Sequence, residues 1–486
     1  MPPKGWTTAA ALSEPLPQGS HPHLDMSQIQ SGKTFNLHPV KSRSNPYRIL
    51  LWLGLILAAA WLLLQVNRGQ VKSPFTPTPT PTRAPLSYIL AAQAYFAAGK
   101  LDDPATDQDA IGAYQQALRV DPENALVWAE LARIQTYSSS NLSTDQERLD
   151  RLQQALTSIE KGVELAPDDS TVAAIHAFVL DWNASSNLIS ADEREAYLAQ
   201  AETAANRAYL LDPQNALALA FYAEVLLDQE KWDQANQYAS QAAELAPDSM
   251  DAHRVLATVQ EKWGYYRDAI DEYGKASAIA PNLTFLYLRI GLCYRVLAYK
   301  QNQLYNTALE YFDKAATINK QLGIKDPYPY IAIAKTYAQQ GEFFIASRNA
   351  ETALSFDAAN ADTYGQLGMI YVQARNYESA LPALRCAVDG CSVEENETAR
   401  LFVENGTLAE NTAVKPLPLT NLNVAYYYVR YGSVLAYLST PENGYCAHSL
   451  QLMTQLRLTF SDDPVLMQNV EDNEATCRSL SGTPSP

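Results

Sequence analysis

One phrase recurs along this chain and fixes what it can fold into. RVDPEN (Arg119–Asn124), ELAPDD (Glu164–Asp169), LLDPQN (Leu210–Asn215), ELAPDS (Glu244–Ser249) and AIAPN (Ala278–Asn282) each follow a helix-patterned stretch. Pro213, Pro247 and Pro281 stand 34 residues apart. Proline cannot continue a helix but is tolerated in the first turn of the next, so the phrase predicts one helix ending and another opening. A repeated helical hairpin cannot bury its apolar face alone and must stack on its neighbours.

Within each period small residues recur where two backbones must approach. Ala110, Tyr114, Ala117 and Pro122 share a spacing with Ala269, Tyr273, Ala276 and Pro281. Ala308, Phe312 and Ala315 repeat it without the proline, and Ala155–Pro167 and Ala346–Ala358 follow it more loosely. In the first helix of each pair the small residue falls at Ala132, Ala177, Ala223, Ala257, Gly291, Ala334, Gly368 and Gly432. This pattern resembles the tetratricopeptide-repeat family. The resemblance implies an all-α, right-handed superhelical solenoid of about nine helix pairs over residues 86–480. A capping helix near 465–480 would close it, and an insertion at 389–423 interrupts it.

The second and third pairs have longer connections, both containing Ser-Ser-Asn-Leu, and each ends in a capping-box pattern: Thr144 with Glu147, and Ser190 with Glu193. Inside the insertion, Asn405-Gly406 between short β-prone arms predicts a small hairpin over Arg400–Glu410.

Ahead of the repeats, residues 1–48 lack apolar periodicity and read as a disordered tail. Ile49–Val66 is an 18-residue run without a charge. It spans about 27 Å as a helix, close to a hydrocarbon core of about 30 Å. It reads as an uncleaved transmembrane anchor, because 48 residues precede it. Residues 67–85, with the run SPFTPTPTPTRAP, form an extended stalk, and residues 481–486 a disordered end. Lysines and arginines flanking the run lean toward a cytoplasmic N-terminus and an extracytoplasmic repeat domain, in a protein of bacterial type.

The net charge is −17, although residues 1–83 carry eight Lys/Arg against Glu14 and Asp25. The repeat region is therefore strongly acidic and is expected to bind no nucleic acid. No HExxH, GxSxG or dinucleotide fingerprint occurs, and Gly32-Lys33-Thr34 lacks the preceding glycine and strand of a phosphate loop. The expectation is a protein with no catalytic residues, no cofactor and no metal site. Cys446 and Cys477 lie 16 residues before and 15 after Asp462, opposite each other in an antiparallel hairpin, so a disulfide there would clamp the cap. Cys386 and Cys391 would form a second at the mouth of the insertion. Both pairs are alternatively free thiols in a reducing compartment.

In the family the first helix of each pair lines a concave groove for a peptide or partner helix. The 34-residue register assigns to that groove Arg254, Lys262, Arg289, Arg295 and Lys335, with Phe221, Phe285 and Tyr328 beside them. Tyr426, Arg430 and Tyr437 come from the last pair. Cations interleaved with aromatics suit an acidic, partly apolar protein or peptide. The family's asparagine-containing carboxylate clamp is not supported, since Thr258 and Leu292 stand where asparagine is wanted. The leading expectation is thus a membrane-anchored interaction scaffold. Its alternatives are a glycan- or cell-wall-binding module, favoured by 29 tyrosines, and an enzyme centred on the insertion. Partner identity and oligomeric state are not legible.

Overall fold

The computed structural model describes residues 45–67, 84–103, 106, 108–395, 400, 403–404, 406 and 412–480. Most of the expected tail, the stalk and the C-terminal end lie outside them. The chain divides into two units, Met1–Thr80 and Pro81–Pro486. In the first, the apolar run lies within a 22-residue helix, α1 (Pro46–Asn67). Ile49, Trp52, Leu57 and Trp61 on it are each more than half exposed. Among the described residues no helix is long and apolar enough to cross a membrane. In α1 the side chains of residues 62, 63, 66 and 67 fall outside that description.

The second unit is built from helix pairs. The first three are α2 (Pro85–Ala97) with α3 (Ala110–Val120), α4 (Ala125–Ser139) with α5 (Asp145–Leu165), and α6 (Ser170–Ala184) with α7 (Ala191–Leu211). Next come α8 (Ala216–Asp228) with α9 (Trp232–Leu245), α10 (Met250–Lys262) with α11 (Tyr266–Ile279), and α12 (Thr284–Ala298) with α13 (Leu304–Leu322). The last are α14 (Tyr328–Gln340) with α15 (Phe343–Leu354), α16 (Ala361–Gln373) with α17 (Tyr377–Val388), and α18 (Leu422–Tyr437) with α19 (Tyr445–Thr459). A single helix, α20 (Pro464–Leu480), packs on α18 and α19. The only β element among the described residues is an isolated bridge, Cys391 to Val414.

The recurring phrase works through its caps. After α3 the backbone leaves helical space at Asp121, and the Asn124 side chain accepts from Val127 N at 3.3 Å to start α4. Asp169, Asn215 and Ser249 cap α6, α8 and α10 in the same way. Proline therefore sits in the connecting turn, two residues ahead of the cap, and not in the first helical turn as expected from its residue preferences. Both capping boxes form, at Thr144 and Ser190. The expected hairpin at Arg400–Glu410 lies largely outside the described residues. Arg400, Val403 and Glu404, which are described, are helical; short apolar runs suit either structure.

Close approach explains the small residues. A Cβ on Gly291 would stand 2.4 Å from the ring of Phe312, which is wholly buried, while one on Gly432 would meet the terminal methyl of Met453 at 2.4 Å. Gly291→Ala is expected to lose about 1–3 kcal/mol to overpacking, more than the helix propensity it gains. Gly432→Ala should be near neutral, because a methionine end moves aside. Thermal melts of the two variants separate these cases.

The array also closes on itself. Tyr137 of α4 stacks on Phe285 of α12 at 5.8 Å, and its hydroxyl bonds Asp251 of α10. Ser143 Oγ donates to the Lys325 carbonyl at 2.6 Å, Arg148 donates to the Tyr328 hydroxyl at 2.5 Å, and Asn282 Nδ2 donates to the Ala97 carbonyl at 3.4 Å. One buried apolar cluster accordingly runs from α2 to α13. Pairs seven to nine and α20 share another.

Asp326, 6% exposed, lies in the link between α13 and α14 beside this seam. Burial pushes its carboxyl up to about 6 from an ordinary 3.8, against hydrogen bonds from Tyr328 N and Asn319. A native state that holds the proton more tightly loses stability as pH rises from about 4 to 6 and does not regain it above. Asp326→Asn should raise stability at pH 7 by about 2–3 kcal/mol and confer nothing below pH 4. The new NH2 group takes the place of Oδ2, which accepts from Asn319 Nδ2, so the Asn319 amide must turn over to present its unpartnered Oδ1 to it. Denaturant titrations at pH 4 and 7 check the sign.

Candidate functional site

The inner helices α8, α10, α12, α14 and α18 carry the residues that the register assigned to the groove, but the seam splits those residues into two sets. Arg254 is 4% exposed and forks onto Glu224, with both N–O distances 2.6 Å. It also donates to the Tyr137 hydroxyl at 3.1 Å and lies over the Tyr137 and Phe178 rings. Phe221 is wholly buried, stacked on Phe178 at 4.4 Å. Phe285 is half-buried under Tyr137, and Tyr328 is held by Arg148, whose guanidinium lies 4.4 Å from its ring. Arg289 pairs with Glu261 at 2.6 Å. Lys262 is exposed and bears electrostatically on Asp228, whose carboxyl is nevertheless pushed up to about 6 by burial and by Glu224. The middle of the inner face is therefore occupied by the protein's own side chains.

Beyond the seam the face stays open. Arg295, Lys335 and Tyr426 line one cavity of about 430 Å³ with Asp362, Gln366 and Met369. Four successive inner helices contribute to it. Among the described residues Arg295 donates only to the Ala332 carbonyl, at 3.4 Å, and its guanidinium lies 5.9 Å from the Phe312 ring. Neither it nor Lys335 lies within ion-pair distance of a carboxylate among the described residues, whereas Asp362 accepts from Tyr427 at 2.9 Å and from Gln366 at 2.5 Å. Burial lowers the affinity of both cations for their protons, and for Lys335 the neighbouring Arg295 adds to this while Asp362 opposes it. Lys335 still reaches water: protein walls surround it without sealing it. Two partly desolvated cations that repel each other, with Asp362 as the one carboxylate in the same lining and no ion pair to it, can accept an anion.

Arg430 is half-buried on α18 but does not line this cavity, and Tyr437 is packed on Tyr377 at 4.6 Å. Asp362, Gln366 and Met369 escaped the sequence reading. Asp362 stands six residues before Gly368, as Phe285 does before Gly291 and Tyr426 before Gly432, so the same register pointed to it. Among the described residues no cluster of histidine, cysteine and carboxylate could hold a metal. Cys386 is bonded to Cys391 and Cys446 to Cys477, while Cys293 is buried and free.

No family model and no curated protein matches the chain. Among solved structures, the human IFIT1 dimer with PPP-AAAA is 14% identical, with 82% of this chain and 83% of that one covered and a TM-score of 0.49. A tetratricopeptide repeat protein from Parabacteroides merdae is 16% identical, covering 57% and 93%, with a TM-score of 0.40. YrrB, a repeat protein described as having an unusual peptide-binding site, is 21% identical, covering 43% and 93%, with a TM-score of 0.24.

Proposed function

We propose that the protein is a membrane-held, non-catalytic scaffold that binds an acidic, partly apolar segment of a protein partner in the open end of its inner face. The unpaired Arg295 and Lys335 carry this reading. Of the other inner-face arginines, Arg254 and Arg289 are already neutralised by glutamates, so this pair has charge to offer. Tyr426 and Met369 beside them supply the apolar share of the contact. A groove lined by helices suits an extended segment or a partner helix.

Peptide selection on the full-length protein in lipid nanodiscs tests the proposal. Binders should be enriched in aspartate and glutamate next to apolar residues. Arg295→Ala with Lys335→Ala should weaken them by about tenfold to a hundredfold, at the cost of one or two charge-assisted hydrogen bonds, with an unchanged melting temperature. Selected peptides without acidic enrichment, or peptides that bind the double variant equally, would remove the reading.

Anchoring by α1 with the array outside the cytoplasm is supported by the uncharged run Ile49–Val66 and by the two disulfides, which persist in oxidising compartments. Protease added to intact cells should shave off the repeat array; an array that survives it faces inward.

A further inference from the structure

A second cavity, of about 910 Å³, opens where the tips of pairs six and seven meet. It shares Gln339 with the lining of the Arg295 and Lys335 cavity but none of the residues that bind in the proposed function. Its walls are the end of α12 and the start of α13, then the end of α14 and the start of α15. Tyr299, Tyr305 and Tyr337 bring three phenol rings to it. Tyr299 is 68% exposed and meets Tyr305 edge-on with ring centres 6.5 Å apart. Asn302, Asn306, Gln339, Gln340 and Glu342 share the lining with them. Of these side chains Gln339 alone is hydrogen-bonded among the described residues: its Nε2 donates to the Tyr299 hydroxyl at 2.7 Å. That leaves its own carbonyl free to accept and the phenol proton free to donate.

The lining selects by chemistry. The one charged group in its lining is the Glu342 carboxylate, so anions are disfavoured and the phosphate of a nucleic acid or lipid has no cationic partner. The only aliphatic liner is Ile345, too little for an apolar guest. What is abundant is planar amide groups that donate and accept side by side, next to aromatic faces. A ligand matching this has many neighbouring hydroxyls, each both donor and acceptor, and an apolar C–H face that lies on a ring. We infer that this cavity binds a neutral oligosaccharide. The exposed Tyr299 ring would carry the stacking contact, and the Asn302, Asn306 and Gln340 amides would bracket vicinal hydroxyls.

The probes are maltotetraose, cellotetraose and chitotetraose, with tetragalacturonic acid as an anionic arm and triglycine as a peptide arm. They would be presented to the full-length protein in lipid nanodiscs, free of glycosidic detergent, and read by saturation transfer from the aromatic protons. At least one neutral tetrasaccharide should bind saturably, with a dissociation constant on the order of 1 mM, and the acid should not. Tyr299→Ala and Asn306→Ala, both at exposed positions, should each weaken it about tenfold without moving the melting temperature. Both should leave acidic-peptide binding at Arg295 and Lys335 intact, so failure here is separable from failure there. The inference is overturned by any of three results: no saturable neutral sugar, a sugar indifferent to both substitutions, or triglycine competing it away.

Discussion

Arg254→Ala is expected to destabilise the repeat array by about 3–5 kcal/mol, the cost of leaving a buried carboxylate without its partner. Glu224 would lose both 2.6 Å contacts while 8% exposed. The surroundings cannot compensate. Asp181, 2% exposed, already has its carboxyl pushed well up by burial, by Asp228 and by Glu224, and one of its oxygens has no hydrogen-bond partner. Asp251 is committed to Arg133 and Tyr137. Removing the guanidinium therefore leaves a knot of acids around a void. Arg254→Glu, a natural choice for testing groove charge, would make it worse. Arg254→Met combined with Glu224→Leu should recover most of the loss, because a matched apolar pair leaves no buried charge unpaired and only the half-buried Trp182 indole N–H loses its acceptor. Denaturant unfolding of the single and double variants measures both steps. A single variant as stable as the parent would mean that the ionic knot does not hold the seam.

Reduction of the Cys446–Cys477 bond is the second large effect. It closes a 31-residue separation and ties α19 to α20, whereas Cys386–Cys391 closes only five. Chain entropy predicts a loss of about 4 kcal/mol for the first and about 2 kcal/mol for the second. Because α20 contributes Leu466 and Val470 to the last apolar cluster and, among the described residues, packs on α18 and α19 alone, the damage should be local. Hydrogen exchange on Cys446→Ser with Cys477→Ser should show protection lost in α19 and α20 and kept from α4 to α13. Loss spread evenly over the array would contradict that.

The helix pairs were legible because the information for each is local: a proline-containing turn, a capping side chain, and a small residue facing a large one within about 34 residues. The cap helix and the place of its cysteines followed from the same counting. The fate of the groove residues was not legible. Arg254 and Arg295 were both assigned to the same inner face, yet one is sealed and the other open. The difference is made by Tyr137, more than a hundred residues away from Arg254, which lies over the first and not over the second. Nothing in a periodic pattern records which earlier pair will face a given helix after the array has turned. That depends on small rotations summed over several pairs.

The seam has a consequence for the order in which the chain matures. In an open solenoid each hairpin is finished once its next neighbour docks. Here the second pair finds its final partners 114 to 182 residues further on, at Asp251, Arg254, Lys325 and Tyr328. Contacts this distant in sequence pay their loop-closure entropy late. During vectorial synthesis, then, the earliest pairs stay incomplete until the seventh has emerged, with Tyr137 and its neighbouring rings uncovered for most of that interval.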